Sequence, residues 1–156
     1  MAFFDFEGKK VYYEVHGEQG EPLVILNGIM MSTNSWKPLM KNLTKNNIVI
    51  LVDFLDQGQS SRMTEGYTHA IQVRLLHALF ELLPYERYNI MGISYGGEVA
   101  VQYAVEHPEY VRRLVLANTC ARTSDWLRKI GDGWNAVART GDGIPKRIVF
   151  DSSVSV

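Results

Sequence analysis

The sequence contains a single cysteine, no long apolar segment and no excess of basic residues. Cys120 therefore cannot form a disulfide within the chain. No stretch approaches the roughly 20 apolar residues needed to cross a bilayer. Residues 1–10 place acidic side chains among apolar ones, so they do not resemble a basic and then apolar leader. These absences favour a cytoplasmic protein with no membrane as partner.

Charge and metal-ligand patterns are equally sparse. Sixteen Lys and Arg residues stand against 17 Asp and Glu residues without a basic run, so nucleic acid is not predicted as a partner. The four histidines are scattered, and no Cys/His pair has the spacing of a metal site. We therefore expect a small-molecule substrate, no metal and no cofactor.

What the sequence does contain is an alternation of apolar runs and amphipathic stretches. Two short aromatic and β-branched runs around a glycine predict an antiparallel hairpin, and continuous apolar runs predict strands buried on both faces of a sheet. In the stretches between these strands, apolar residues three and four positions apart predict helices. The predicted strands are residues 3–6, 11–15, 23–26, 48–52, 88–91 and Val111–Ala117, and the predicted helices are residues 35–43, 68–83 and Tyr95–Glu106.

This order predicts an α/β fold with a mainly parallel twisted sheet, an antiparallel N-terminal hairpin and helices on both faces. Beyond Thr119 the character changes, because Trp126, Ile130 and Trp134 indicate one or two helices with no further clear strand. We predict two parts, residues 1–119 and residues 120–156.

The pattern Gly92-x-Ser94-x-Gly96 lies where a predicted buried strand meets a predicted helix. The bare pattern is weak, but this context is specific because a serine there lies on a sharp turn at the carboxyl end of the sheet. The following helix N-terminus favours developing negative charge. The alternative is an ordinary Gly-rich turn, whereas a dinucleotide-binding turn would need the absent G-x-G-x-x-G spacing.

Three segments together resemble the α/β-hydrolase fold family, which includes esterases, lipases and enol-lactonases. Residues 26–29 occupy the place of the family's oxyanion loop, residues 53–60 resemble its Asp-x-x-Gly-x-Gly-x-Ser turn, and residues 92–96 match its nucleophile elbow. The resemblance implies that Ser94 is the nucleophile. It also implies that the backbone amides of Ile29 and Tyr95 form the oxyanion hole.

Two departures from the family pattern affect the substrate more than the chemistry. Asn27 replaces the usual His, as in enol-lactonase relatives, and Asp56 replaces the first glycine of the second turn. Neither change removes a backbone amide. Asp53 is interpreted as a structural residue of its loop and not as a catalytic acid.

A base for Ser94 is not identifiable in the sequence. A serine nucleophile needs a base and an orienting carboxylate, which in this family follow the serine in the order acid, then His. His107 is the only His after Ser94, and it lies roughly 20 Å along the predicted helix, at the wrong end of the sheet. The other histidines are interpreted as surface or packing residues.

We therefore expect this chain to be the amino-terminal part of a longer hydrolase. It would hold about six of eight strands of the core in residues 1–119, and residues 120–156 would begin a truncated cap segment. In the family's strand order Val111–Ala117 is interior, so it would form an open edge here. We expect self-association or a complementary chain at that edge.

The leading hypothesis is a serine hydrolase that acts on a small ester, lactone or related carbonyl compound through an acyl-Ser94 intermediate. Because the triad is incomplete, this chain alone is expected to be inactive. Asn27, Met30 and Trp126 are candidates for substrate contact, although ordinary packing accounts equally well for Met30 and Trp126. The alternatives are a catalytically silent binding or association module and, on the same fold, a lyase or cofactor-free oxygenase.

Overall fold

The computed structural model describes residues 2–120 and 122–140. Contacts divide the chain into two units, Met1–Thr119 and Cys120–Val156. The strands are β1 (Ala2–Phe6), β2 (Lys9–His16), β3 (Glu21–Leu26), β4 (Asn47–Val52), β5 (Tyr88–Ile93) and β6 (Val111–Ala117). The α-helices are α1 (Met40–Leu43), α2 (His69–Leu82), α3 (Tyr95–Glu106) and α4 (Asp125–Thr140), and 3-10 helices span Thr33–Leu39 and Pro108–Tyr110.

All six strands lie in one sheet with the order β1-β2-β4-β3-β5-β6. The pairs β4–β3, β3–β5 and β5–β6 are parallel, whereas β1–β2 and β2–β4 are antiparallel. The predicted parallel sheet with its N-terminal hairpin is therefore confirmed. The second antiparallel pair, β2–β4, joins strands distant in sequence, and the local pattern gave no signal for it.

The alternation of side chains along β3 and β4 fills two hydrophobic clusters, one on each face of the sheet. Val24 and Ile50 belong to the larger cluster, which includes the buried faces of α2 and α3. Ile25 and Val49 belong to the smaller cluster, which includes Trp36 of the first 3-10 helix. Strands buried on both faces explain why β3 and β4 appear as continuous apolar runs. The predicted cover of helices on both faces is confirmed.

The helix predicted over residues 35–43 is instead two short segments, the 3-10 helix Thr33–Leu39 and α1. Pro38 lies inside this region and has no N–H to donate, which disfavours one continuous α-helix. The helix predicted after Thr68 is confirmed as α2, with Thr68 at its N-cap. Within the described ranges, no helix has the length and apolar character needed to span a bilayer.

Strand β6 is the outer strand of the sheet beyond β5. Val115 and Leu116, which are neighbours and so point to opposite faces, are 51% and 45% exposed. The described residues therefore leave β6 open at its edge and largely uncovered on both faces.

Candidate active site

Ser94 joins the end of β5 to the first residue of α3. Its backbone has φ 50° and ψ −119°, a conformation that residues with a side chain rarely adopt. Holding a residue other than glycine in such a region costs on the order of 1–3 kcal/mol and requires surroundings that fix the conformation. The sharp strand-to-helix turn predicted from the sequence is present at this residue.

Backbone and side-chain hydrogen bonds fix this turn from both sides. The Ser94 N–H donates to the carbonyl oxygen of Ala117 at 3.0 Å. The Ser94 carbonyl oxygen accepts from the N–H of Gly97 at 2.8 Å and from the hydroxyl of Thr119 at 2.9 Å. The end of β6 and the residues just after it therefore hold the turn in its strained conformation.

Three glycines allow the strands and α3 to approach this turn closely. A Cβ atom on Gly92 would lie 2.6 Å from the Cα atom of Gly97, and one on Gly96 would lie 2.6 Å from the carbonyl carbon of Leu26. A Cβ atom on Gly97 would lie 2.5 Å from the Cβ atom of Thr119. The sequence motif identified the first two glycines. It gave no signal for Gly97, whose constraint comes from Thr119.

The loop that follows β3 passes directly beside Ser94. A Cβ atom built on Gly28 would lie 3.5 Å from the Cβ atom of Ser94. The Met31 N–H donates to the Gly28 carbonyl oxygen at 3.2 Å, which closes a tight turn with Ile29 and Met30 at its centre. The predicted oxyanion loop and the predicted nucleophile thus lie in contact.

The predicted donors and substrate-contact residues differ in exposure. Tyr95 is the first residue of α3, so its N–H has no partner within that helix. Ile29 is partly buried and Met30 is 76% exposed. Trp126, which is 70% exposed, lies in the first turn of α4 in the second unit. Substrate contact by Met30 and Trp126 stays a prediction.

Asn27 is almost fully buried, and protein atoms occupy both ends of its side chain. Its Oδ1 accepts from the Trp36 indole N–H at 2.8 Å, and its Nδ2 donates to the Val52 carbonyl oxygen at 2.9 Å. These bonds tie the oxyanion loop to the end of β4. The structure shows these contacts of Asn27 with other residues of the protein, whereas contact between Asn27 and a substrate remains a prediction.

Asp53 is fully buried at the end of β4 and stabilises two loops. Its carboxylate accepts from the backbone N–H of Thr33 at 2.7 Å and from that of Gln59 at 2.9 Å. Burial raises the pKa of Asp53 above its ordinary value, although these two hydrogen bonds oppose the rise. The bonds confirm the predicted structural role of this residue.

Two of the histidines, His77 and His107, lie together at the far end of α3 from Ser94. His107 caps the C-terminal end of α3, and its ring stacks on His77 with centroids 4.1 Å apart. Ser94 lies at the other end of the same 12-residue helix, roughly 18 Å away along the axis. His69 lies nearer, with its ring 4.8 Å from that of Tyr95 and its Nε2 atom 3.2 Å from a Glu98 carboxylate oxygen. No cluster of three potential metal ligands occurs among the residues that the structure describes.

The chain combines a six-strand, mainly parallel sheet with a strained serine between β5 and α3. It belongs to the alpha/beta hydrolase fold family, whose family model matches residues 21–151. The chain is 48% identical to MGS-M2, an alpha/beta hydrolase enzyme from a Medee basin deep-sea metagenome library, with a TM-score of 0.87 over 91% of this chain and 53% of that one. The enol-lactonase of Burkholderia xenovorans LB400 is 25% identical, with a TM-score of 0.80 over 89% of this chain and 54% of that one.

A proline iminopeptidase of Lactobacillus helveticus is 32% identical over 133 residues, which are 80% of this chain and 45% of the relative. The chain thus spans about half the length of these relatives. Its six strands are an incomplete alpha/beta hydrolase core.

Proposed function

We propose that the complete protein is a serine hydrolase that acts on a small ester, lactone or related carbonyl compound through an acyl-Ser94 intermediate. The observation that carries the proposal is the strained backbone of Ser94, which is held at the N-terminus of α3 with Gly28 against its side chain. Strain of this kind persists where the surrounding structure enforces it, and it clusters at functional sites.

In the proposed reaction, the Ser94 Oγ attacks the substrate carbonyl carbon and a C–O bond forms. The hydroxyl proton passes to a histidine base supplied by sequence beyond this chain, and the carbonyl electron pair moves onto oxygen. The N–H groups of Ile29 and Tyr95 donate to that oxygen. The leaving group departs with the proton, and water then cleaves the acyl ester by the same steps and restores Ser94.

The two proposed donors belong to different elements of the structure. The Tyr95 N–H belongs to a helix N-terminus, where the helix dipole favours negative charge. The Ile29 N–H belongs to the loop beside Ser94. Removing one oxyanion donor costs roughly 10²- to 10³-fold in rate in other serine hydrolases, so both amides would contribute substantially.

The relatives support carbonyl hydrolysis in general and not one substrate. One similar protein is an enol-lactonase and another a proline iminopeptidase by name. Within the proposed function, Met30 is proposed to contact the substrate because it is large and exposed and lies in the loop after β3. Substrate contact by Trp126, in the second unit, stays a prediction from the sequence. The burial of Asn27 favours a role in holding the loop.

A second candidate function is a catalytically silent module that keeps the turn and the loop but lacks the base. The position of His107 at the far end of α3 favours this function for the 156-residue chain. The two candidates make opposite predictions for a chemical probe of serine reactivity.

A fluorophosphonate probe tests the proposal, because its phosphorus accepts an activated serine oxygen and releases fluoride. We expect labelling of a version whose reading frame continues past residue 156, and no labelling of that version with Ser94→Ala. The 156-residue chain should be labelled weakly or not at all. Labelling that persists after Ser94→Ala, or no labelling of the longer version, would contradict the proposal.

A further inference from the structure

Gln57 connects the turn after β4 to the loop beside Ser94. Its Nε2 atom donates to the Gly28 carbonyl oxygen at 3.2 Å. Its Oε1 atom accepts from the Phe54 N–H at 3.2 Å and from the Asn27 Nδ2 at 3.3 Å. One side chain therefore joins three groups of the two loops.

The orientation of the Gln57 amide follows from its partners. The backbone N–H of Phe54 can only donate, and the carbonyl oxygen of Gly28 can only accept. Exchanging the oxygen and nitrogen of the amide would break both bonds at once. The donor end of Gln57 is therefore directed at Gly28.

The Gly28 carbonyl and the Ile29 N–H belong to the same planar peptide group. In a trans peptide these two groups point in opposite directions, and the described residues contain no cis peptide bond. A donor that fixes the direction of the Gly28 carbonyl therefore fixes the direction of the Ile29 N–H. The Met31 N–H also donates to this carbonyl, so the peptide is held by one bond within the loop and one from outside it.

We propose that Gln57 is a positioning residue for the oxyanion hole, because its bond to the Gly28 carbonyl oxygen fixes the orientation of the peptide that carries the Ile29 N–H. The inference rests on the proposed function, which makes the Ile29 N–H an oxyanion donor. The bonds of Asn27 reach Trp36 and Val52 and so fix the residue before this peptide. Gln57 acts on the peptide itself.

Two substitutions separate the bond to Gly28 from the other contacts of Gln57. Gln57→Glu keeps an acceptor for the Phe54 N–H but replaces the donor to Gly28 with a carboxylate oxygen. Gln57→Met keeps the length of the side chain and removes all three bonds. Gln59→Glu is the matched control, because Gln59 is exposed on the same loop, whereas the bond to the Gly28 carbonyl oxygen comes from Gln57.

The direct test is nuclear magnetic resonance of the isotope-labelled 156-residue chain. We expect Gln57→Glu and Gln57→Met to shift the Gly28 carbonyl carbon and the Ile29 amide resonances, while Gln59→Glu leaves both unchanged. If Gln57→Met fails to fold, Gln57→Glu still carries the comparison because it retains the contact with Phe54. Unchanged Gly28 and Ile29 resonances in folded Gln57→Glu would overturn the inference.

The second readout is the kinetics of fluorophosphonate labelling in the longer version. Because misplacing a reacting group by about 1 Å can cost up to roughly a hundredfold, we expect Gln57→Met to lower the limiting labelling rate by about tenfold or more. The probe concentration that gives half the limiting rate should stay the same. An unchanged limiting rate would overturn the inference. Failure of the wild-type longer version to label at Ser94 would overturn the proposed function, and the resonance shifts would then be the test of whether Gln57 orients the Gly28 peptide.

Discussion

At the scale of single residues, the site is marked by side chains in a backbone region that usually belongs to glycine. Ser94 and Met30 both have positive φ, at 50° and 62°. The motif around Ser94 made its turn predictable from the sequence, because the flanking glycines lie at fixed spacing. The conformation of Met30 follows from the tight turn closed by Gly28 and Met31, for which the sequence around it has no glycine signal at that position. The bonds of Gln57 to Asn27 and Gly28 join loops distant in sequence, and no local pattern encodes them.

The turn that contains Met30 yields a prediction on stability. Its third position requires positive φ, which glycine adopts without strain, and Met30 is mostly exposed, so little packing is lost. We expect Met30→Gly to leave the free energy of unfolding unchanged or raise it by up to about 1 kcal/mol, because relief of strain offsets the greater freedom of glycine in the unfolded chain.

Met30→Ile is the control, since a β-branched side chain is least suited to positive φ. It should lower the free energy of unfolding by about 1 kcal/mol or more. Urea denaturation measures the free energies of unfolding of the wild type, Met30→Gly and Met30→Ile, and so gives their order of stability. An isoleucine variant as stable as the glycine variant would show that the turn does not impose this conformation in solution.

At the scale of elements, the strands were the most predictable features. Each predicted strand is present because continuous apolar runs and a glycine-centred hairpin are strong local signals. The helix after Thr33 was harder to predict, because apolar spacing alone did not reveal the interruption at Pro38. The order of the strands in the sheet could not be predicted from the sequence, because pairs such as β2 and β4 join strands that are distant in the chain.

The open edge of β6 supports a proposal on association. Unpaired backbone groups on an apolar edge strand favour pairing with another chain, and we propose that β6 takes a second copy or a complementary chain. In a two-fold antiparallel pairing centred on Leu114, Arg113 would lie opposite Val115 of the second copy. Like charges would therefore not face each other directly.

Sedimentation over a wide concentration range measures this association. We expect the wild-type chain to form larger species as its concentration rises, and Val115→Lys with Leu116→Lys to shift it toward the monomer. Val105→Lys is the matched control, because Val105 is equally apolar and 72% exposed but lies on α3. A wild-type monomer at all concentrations, or an equal effect of Val105→Lys, would contradict the proposal.

At the scale of the whole molecule, every described member of both hydrophobic clusters lies in the first unit. The sequence predicted a change of character after Thr119, because apolar runs give way there to one or two helices with no further clear strand; the described part of the second unit contains α4. The interpretation of the second unit as the start of a cap remains a prediction.

This division predicts that the first unit is stable without the second. A version that ends at Thr119 should have a free energy of unfolding within about 1 kcal/mol of that of the 156-residue chain, because no described cluster residue is removed.

In the same short version, Thr119→Val should lower the free energy of unfolding by about 1 kcal/mol, because the hydrogen bond to the Ser94 carbonyl oxygen is lost. Chemical denaturation followed by circular dichroism measures both. A short version without a cooperative transition would show that the second unit is needed for folding.

The contacts that hold Ser94 also have a consequence for the order of events during synthesis. Within the part of the chain that the structure describes, they come from residues up to Thr119, and a chain leaves the ribosome N-terminus first. Once that residue has emerged, the nucleophile's turn can close without waiting for anything translated later. Under the proposed function, the shaped serine would then be built before any base that is translated later, so a nascent chain would carry it in a silent state.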